Sequence, residues 1–447
     1  MTSTVQAPRP SSFVSLWARL TSLTARLNRE VLVTAAWLAL VVLCHLWGEE
    51  LLEAKRRIAL HAPPLFGRFA WRPVWGLTGA AAIALVVIFA GSGHLHRLSW
   101  KRLIIVSISV AALFAAALAA SGGVGELTSP LLGPHAYLRA VRQVGSPLDF
   151  LNRFTERIGG YPTHIRGHPP GTVLVLWGLD RIGLGGAGWA AALMIAVGAS
   201  AAGAALLAAK EIAGEQLARK CAPFLILTPA AIWIATSADA LFAGVGAWGV
   251  ALFVLATGKE GRAADSMAFS GGALLGAALF LSYGIVPLGG IVLASAVYRR
   301  RLRPLVIAAV PLLLITAGFA AGGFWWLDGL RATLSEYHLG VSRSRPTAFF
   351  AVNNLAAFSI AIGPAVWLGI SYLRRSPMWL IVGSVLVAIV AADITGLSKG
   401  EVERIWLPFI PWLTVAVAAI PDTARKRWLV AQALLAIGIQ TGVATPW

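Results

Sequence analysis

Apolar residues occur in long runs along most of the chain. A membrane helix needs about 20 residues to cross a hydrocarbon core of about 30 Å. Runs long enough to do so cover 31–48, 74–92, 103–120, 187–209, 304–326, 349–373, 377–395 and 428–445. Two longer blocks, 222–257 and 267–298, are each predicted to be a helix pair, broken near Asp239 and Gly284, and 405–420 is predicted to be a short helix. The pattern predicts an all-α, polytopic membrane protein with about 11 to 14 membrane helices.

Composition supports this prediction. The 447 residues are 58% hydrophobic and only 13% charged, whereas soluble domains are about 25% charged. The net charge of +18 comes from short arginine clusters between apolar runs, where topology and anionic headgroups account for it, so we expect membrane lipids and no nucleic acid as partners. The first apolar run lacks a cleavage pattern after it and is expected to stay in the membrane.

The positive charges also predict the topology. Arginines place an N-terminal segment, 1–30, in the cytoplasm ahead of a single transmembrane domain, 31–447; they are Arg9, Arg19, Arg26 and Arg29. All later basic turns are cytoplasmic as well if 171–185 does not cross the membrane. That run is short and contains Asp180-Arg181, which favours a partial or re-entrant helix. The chain is thus predicted to be a multi-pass protein of the plasma (inner) membrane.

With this topology, three polar loops lie on the external, or periplasmic, face. They are 121–170, 323–348 and 393–404. We expect them to converge on one active site together with Asp239. If 171–185 does cross, His168 and Glu401 lie on opposite sides of the membrane.

Loop 121–170 is long for a connection between membrane helices. Its stretches HAYLRAVRQV and LDFLNRFTERI have apolar residues at helical spacing, which predicts amphipathic helices on the membrane interface. They are either simple anchors or a lid and wall for a reaction at the lipid boundary. The loop also carries two carboxylates, Glu126 and Asp149.

The sequence YPTHIRGHPPG ends this loop. Pro169 and Pro170 prevent helix before Gly171, so His168 is held at the mouth of the next apolar run. With His164 and Arg166 alongside, His168 is a candidate for substrate binding, and the alternative is a structural hydrogen-bond donor. Either Ser237 or Asp239 caps the next helix, or the Asp239 carboxylate orients an arginine or a sugar hydroxyl.

The stretch DITGLSKGEVERIW, 393–406, is densely charged. Lys399 and Arg404 offer a point cation and a bidentate fork for a lipid phosphate. Glu401 and Glu403 are candidates to accept sugar hydroxyls or to hold the arginine, although a solvated boundary explains these charges too. Loop 323–348 adds three secondary candidates, which are His338, Arg343 and Arg345.

Common cofactor motifs do not occur. The chain has no H-E-x-x-H, C-x-x-C, G-x-x-x-x-G-K-[ST] or strand-linked G-x-G-x-x-G motif. These gaps argue against ATP-driven transport and nicotinamide chemistry. No metal-ligand set is evident, so no cofactor is expected to be required, and a divalent metal is optional.

Several of these features together resemble the GT-C superfamily of membrane glycosyltransferases, in its family-39-like branch. The resemblance covers about residues 100–420 and rests on the long loop with interface helices, HPPG at 168–171, a proline-containing helix with the acidic turn SADALF at 237–242, and GEVERIWLPFIPWL at 400–413. It implies transfer of a sugar from a polyprenyl-phosphate-linked donor to a lipid, glycan or protein acceptor on the external face.

The family normally uses an acidic residue in the first external loop as the general base. This chain has Glu49-Glu50 in its very first loop and lacks an aspartate directly at the helix exit, so we favour Glu126, with Asp149 second, because their loop leads into His168. Arginine and lysine would stabilise the leaving phosphate. The Ala-, Gly- and Arg-rich composition favours a GC-rich bacterium such as an actinobacterium, and hence mannose, then arabinofuranose, as the sugar. The alternative function is a secondary transporter or a lipid-linked-sugar flippase, for which internal repeats and discontinuous helices are expected.

Overall fold

A computed structural model describes residues 12–72, 74–91, 93–235 and 237–446, and the side chains of these residues from Arg29 onward except Val74 and Val341. Arg9 and the side chains of Arg19 and Arg26 lie outside this description. The structure is 77% helical with almost no sheet. This confirms the predicted all-α, polytopic class.

The helices of the first half of the chain are α1 Ser12–Glu53, α2 Thr78–Ala90, α3 His94–Arg97, α4 Trp100–Ala119, α5 Ser129–Leu132, α6 Leu138–Val141, α7 Pro147–Arg153, α8 Thr163–Arg166, α9 Gly171–Arg181, α10 Ala187–Ala213 and α11 Glu215–Ile226. Those of the second half are α12 Ala231–Ile234, α13 Ala238–Thr257, α14 Gly261–Leu281, α15 Gly289–Tyr298, α16 Arg303–Ala321, α17 Trp326–Leu339, α18 Thr347–Ile362, α19 Pro364–Tyr372, α20 Trp379–Ile394, α21 Val402–Ile405, α22 Ile410–Thr414 and α23 Asp422–Gly442. Two short strands, β1 Arg68–Phe69 and β2 Val443–Ala444, pair antiparallel and tie the segment after α1 to the end of the chain.

Six helices of the described chain are long and apolar enough to cross a membrane. They are Arg29–Glu53, Trp100–Gly122, Ala187–Ala213, Ala238–Thr257, Gly261–Leu281 and Arg303–Ala321. One bent helix pair, α18 with α19, and four shorter apolar helices add to them. The protein is therefore a multi-pass membrane protein, and helix α1 continues without a break across the expected segment boundary at residue 30.

The predicted breaks occur, with one addition. The block 222–257 is interrupted before Ala238 and the block 267–298 after Leu281, close to the expected Asp239 and Gly284. The run 349–373, predicted as one helix, bends by 93° at Gly363. There Gly363 adopts a φ of +80°, and Gln432 of α23 donates from Nε2 to the carbonyl of Ile362 (2.6 Å) and accepts from the amide of Ala365 (3.3 Å). A buried side chain thus replaces the backbone partners that the bend removes.

Helix α9 is too short to cross. Its 11 residues rise about 16 Å at 1.5 Å per residue, roughly half of the hydrocarbon thickness. The prediction of a partial helix over 171–185 is confirmed in this respect.

The ends of the bundle differ in their ion pairs. At one end the basic turns meet one another: Lys220 pairs with Asp422 at 3.2 Å and Arg299 with Glu211 at 3.4 Å. We call this the basic end. Helix α13 runs from here to Asp239 at the opposite end, where we find the candidate site and which we call the site end.

Segments that are distant in sequence meet at the site end. Arg166 pairs with Glu336 at 3.0 Å, and the Tyr337 hydroxyl donates to the Gly396 carbonyl at 2.9 Å. The predicted convergence of loops 121–170, 323–348 and 393–404 is thus confirmed by direct contacts.

Loop 121–170 differs from its predicted form. The two expected amphipathic helices are only the four-residue α6 and the seven-residue α7, and Gly145 lies between them. Their apolar residues are buried in the protein core: Tyr137, Val141, Val144, Phe150, Leu151, Phe154 and Ile158. The prediction that these faces lie on the membrane interface is therefore wrong, because they pack against the protein itself.

Candidate functional site

A buried ion-pair cluster lies at the site end. Arg404 donates from Nη1 to Oδ2 of Asp239 at 2.5 Å and from Nη2 to Oε2 of Glu401 at 2.6 Å. Asp239 is 3% exposed and Arg404 6%. Since an unpaired charge is costly in such an environment, these three side chains form one unit, which we call the arginine cluster.

Local structure positions Asp239. Ser237 is the N-cap of α13, and its hydroxyl oxygen accepts from the Asp239 amide at 3.1 Å. The same hydroxyl donates to Asp239 Oδ2 at 2.6 Å. Both sequence interpretations of this turn hold, since it caps a helix and its carboxylate holds an arginine.

A strained turn positions Glu401 and Arg404. Glu401 has a φ of +61° and Gly400 one of +89°, a left-handed conformation that non-glycine residues adopt at a cost. Asn354 of α18 stabilises the turn: its Oδ1 accepts from the Gly400 amide at 3.0 Å and its Nδ2 donates to the Ser398 carbonyl at 2.6 Å. Asn354 was not among the predicted site residues, because its role depends on a contact 46 residues away.

Two histidines lie beside the arginine cluster. The carbonyl of His164 accepts a hydrogen bond from Nδ1 of His168 at 2.7 Å, so the Nδ1 atom carries the hydrogen, as the structural alternative for His168 expects. The ring centroid of His168 lies 5.2 Å from that of Phe242, which follows Asp239 on α13, and 6.1 Å from that of Tyr137. Tyr137 also faces His164, at 5.9 Å.

Burial determines the charge state of both rings. It lowers the pKa of His164 to about 3, and the nearby Arg404 charge adds to the effect. Burial also lowers the pKa of His168, while Asp239 acts in the opposite direction. Both rings are therefore neutral at pH 7. The Tyr137 hydroxyl is fully buried, which raises its pKa well above the ordinary value.

Two predicted cations form a second group. Lys399 donates from Nζ to the carbonyls of Arg345 (3.1 Å) and Ser342 (3.3 Å), and Arg345 donates to the carbonyls of Lys399 and Ile58. Within the described part of the chain, neither cation is in a salt bridge. Their positive charges are therefore not neutralised by direct contact with a carboxylate.

Glu403 faces a different segment from its neighbours. It is completely buried, and Oε1 accepts from the amide of Phe66 at 2.8 Å. Oε2 has no hydrogen-bond partner among the described residues. Burial raises the pKa of the carboxyl to about 7. The hydrogen bond from Phe66 joins loop 393–404 to the chain before β1.

The remaining candidates are more peripheral. Arg166 is held by Glu336 at 3.0 Å, and Glu336 lies two residues before His338 on α17. The His338 ring packs edge-on against Tyr337, and Arg343 ends a 3₁₀ turn at Val341–Arg343. The ion pair of Arg166 with Glu336 connects loops 121–170 and 323–348, whereas His338 and Arg343 are exposed.

The two favoured base candidates lie in ion pairs of their own. Glu126 pairs with Arg72 at 3.0 Å and accepts from the Gly122 amide. Asp149 pairs with Arg153 at 2.8 Å and is about half exposed. The carboxylate that the structure brings to the histidines is instead Asp239, and Glu401 contacts Arg404 of the same cluster.

No group of three or more His, Cys, Asp or Glu side chains in the described ranges is arranged to hold a metal ion. Fold and site define a multi-pass, all-α membrane protein with a buried, charged cluster at one end of its helices. No family model matches the chain, and no curated protein matches it.

Proposed function

We propose that the protein is an integral membrane glycosyltransferase that moves a sugar from a polyprenyl-phosphate-linked donor to a lipid, glycan or protein acceptor. The observation that carries the proposal is the arginine cluster beside His164 and His168 at the site end of an apolar bundle. A lipid-linked sugar has its hydrocarbon in the membrane and its charged head at the boundary. Reaction with a water-soluble group therefore needs a polar site at that boundary.

The charges of the basic end support one orientation of the protein in the membrane. Its turns are rich in arginine and lysine, which favours a cytoplasmic location by the positive-inside rule. The site end then faces the exterior of the plasma membrane, and the N-terminus lies in the cytoplasm. Mannose is the favoured sugar and arabinofuranose the next.

The proposed reaction is a displacement at the anomeric carbon. A carboxylate takes the proton of the acceptor hydroxyl, the hydroxyl oxygen forms the new bond to the anomeric carbon, and the bond to the phosphate oxygen breaks. Lys399 and Arg345 support the leaving phosphate because no carboxylate neutralises them directly. No metal or other cofactor is required in this scheme.

Three carboxylates compete for the role of base. Glu126 and Asp149 are favoured by their loop, and Glu401 by its contact with Arg404 and by its partial exposure of 21%. Asp239 is too deeply buried to meet an acceptor directly and is better suited to hold Arg404 in place.

The test is transfer of radiolabelled sugar by purified protein in lipid. Polyprenyl-phosphate mannose and polyprenyl-phosphate arabinose are offered with an envelope-lipid extract, to the wild type and to Glu126→Gln, Asp149→Asn and Glu401→Gln. We expect one variant to lose transfer while it still binds donor, which names the base. Asp328→Asn is the matched control, because Asp328 is an exposed carboxylate with an arginine partner, as Asp149 is. Absence of both transfer and donor binding with folded wild-type protein would overturn the proposal.

A secondary transporter or flippase is the second candidate. The 93° bend between α18 and α19 favours it, because discontinuous helices form the substrate and ion sites of many transporters. At this bend, however, Gln432 already satisfies the free backbone groups. Sugar-lipid movement across proteoliposome membranes, without transfer to an acceptor, would support this second function.

A further inference from the structure

A polar cavity lies in loop 121–170, apart from the arginine cluster. It has a volume of about 410 Å³ and is lined entirely by residues between 140 and 161. Seven of them have side chains that form hydrogen bonds: Gln143, Ser146, Asp149, Arg153, Glu156, Arg157 and Tyr161. A volume of this size lies within the range of small-molecule sites, about 300–1,000 Å³.

The charges of this cavity balance. Two carboxylates face two guanidinium groups, and one of these pairs, Asp149 with Arg153, is in contact at 2.8 Å. A phosphate or other anion would meet both carboxylates, and a cation would meet both arginines. A neutral ligand with many hydroxyl groups can instead donate to the carboxylates and accept from the arginines.

An aromatic surface completes the lining. The Tyr161 ring stacks on Phe154 with centroids 5.5 Å apart and an interplanar angle of 23°, and Phe150 packs against it edge-on at 5.8 Å. Tyr161 and Phe150 both line the cavity. Rigid rings among convergent polar groups are typical of small-molecule sites, and the C–H face of a sugar ring can pack on them.

Glycines leave the backbone open to this space. A Cβ atom added at Gly145 or Gly160 would meet no other atom within 4 Å, and neither glycine has a positive φ. Gly159 also lines the cavity, and a Cβ there would come within 3.3 Å of Glu336, the partner of Arg166. The cavity therefore borders the segment that carries His164 and His168.

We propose that this cavity binds the neutral carbohydrate part of the acceptor, next to the site of transfer. The role of this carbohydrate as the acceptor rests on the proposed function, whereas the binding of a carbohydrate in the cavity does not. Glu156 then binds a sugar hydroxyl in the cavity, together with Tyr161 and Arg157.

The test is direct binding of simple glycosides to the full-length protein in lipid nanodiscs, by saturation-transfer NMR. The probes are methyl α-mannopyranoside and methyl α-arabinofuranoside, each with and without inorganic phosphate. Gly145→Leu and Gly160→Leu each add a side chain at a glycine that lines the cavity, where an added Cβ meets no other atom within 4 Å. Gly188→Leu is the matched control, since a Cβ added at Gly188 on α10 also meets no other atom within 4 Å and Gly188 lies outside the cavity.

We expect at least one glycoside to bind to the wild type and to Gly188→Leu, with affinity lower by about tenfold or more in both filled variants, as when a ligand loses its cavity. Phosphate should not displace it. Equal binding to all four proteins, no binding to the wild type, or displacement by phosphate would overturn the carbohydrate site. Glycoside binding without any sugar transfer from either donor would overturn the proposed function and leave the carbohydrate site standing.

Discussion

Arg404 and Asp239 are 165 residues apart in sequence and joined by a 2.5 Å hydrogen bond in the structure. This contact fixes α21 against the N-terminus of α13 at the site end. Because both side chains are almost completely buried, their charges depend on each other rather than on water.

Asp239→Asn should destabilise the protein strongly. Removal of one partner of a buried ion pair costs about 3–5 kcal/mol, although Glu401 still compensates part of the Arg404 charge. Thermal unfolding in detergent measures this effect. The matched change Asp328→Asn breaks an exposed pair with Arg331 and should cost about 1 kcal/mol or less. Equal shifts for the two variants would show that the buried pair has no special role.

Gln432→Leu should destabilise the bend at Gly363. It leaves the Ile362 carbonyl and the Ala365 amide without their side-chain partner, and each unsatisfied buried group costs about 1–3 kcal/mol. Gln440→Leu, on the same helix, is the control, because Gln440 loses one bond to the Ser121 hydroxyl and none to backbone. Unfolding midpoints that fall by the same amount in both variants would contradict the assigned role of Gln432.

Local signals predicted much of this fold. Four apolar runs coincide with long membrane helices, and the polar residues near Asp239 and Gly284 marked two helix breaks. The run 428–445 is not among the described helices that are long and apolar enough to cross a membrane. The bend at Gly363 had a local signal as well, since Gly-Pro marks a turn, but the apolar residues on both sides concealed it. What stabilises the bend lies near residue 432, which no window along the sequence can contain.

The site was harder to predict than the fold. The positions of basic turns and the number of membrane crossings predict which polar loops share one end of the bundle. Asp239, His168 and Arg404 were therefore identifiable as candidates. Their partners depend on packing: Asn354 holds the Gly400 turn, and Glu403 contacts Phe66 rather than the arginine cluster. The loop 121–170 shows the same limit, because helical spacing of apolar residues is the same for a face on lipid and a face on protein.

His164 should make the protein sensitive to acid. Burial lowers its pKa to about 3, against about 6.5 in an unfolded chain. Between these values the unfolded state binds a proton that the folded state does not, so stability is present above about pH 6.5 and falls as the pH decreases. His164→Gln should therefore lose less thermal stability than the wild type between about pH 7 and pH 5. The exposed His61→Gln serves as the control, and an unchanged pH dependence in His164→Gln would contradict this assignment.

Glu403 should give the folding stability the opposite dependence on pH. Burial raises its pKa to about 7, against about 4.3 when unfolded, so the folded state binds the extra proton. The stability it contributes is complete below about pH 4.3 and is lost as the pH rises through about 7. Glu403→Gln keeps an oxygen for the Phe66 amide and cannot ionise, so its unfolding midpoint should exceed that of the wild type at about pH 8 and approach it at about pH 4. The exposed Glu156→Gln should show no such crossover. An unfolding midpoint of Glu403→Gln below that of the wild type at about pH 8 would contradict this prediction. It would mean that the folded protein stabilises the ionised Glu403 carboxylate.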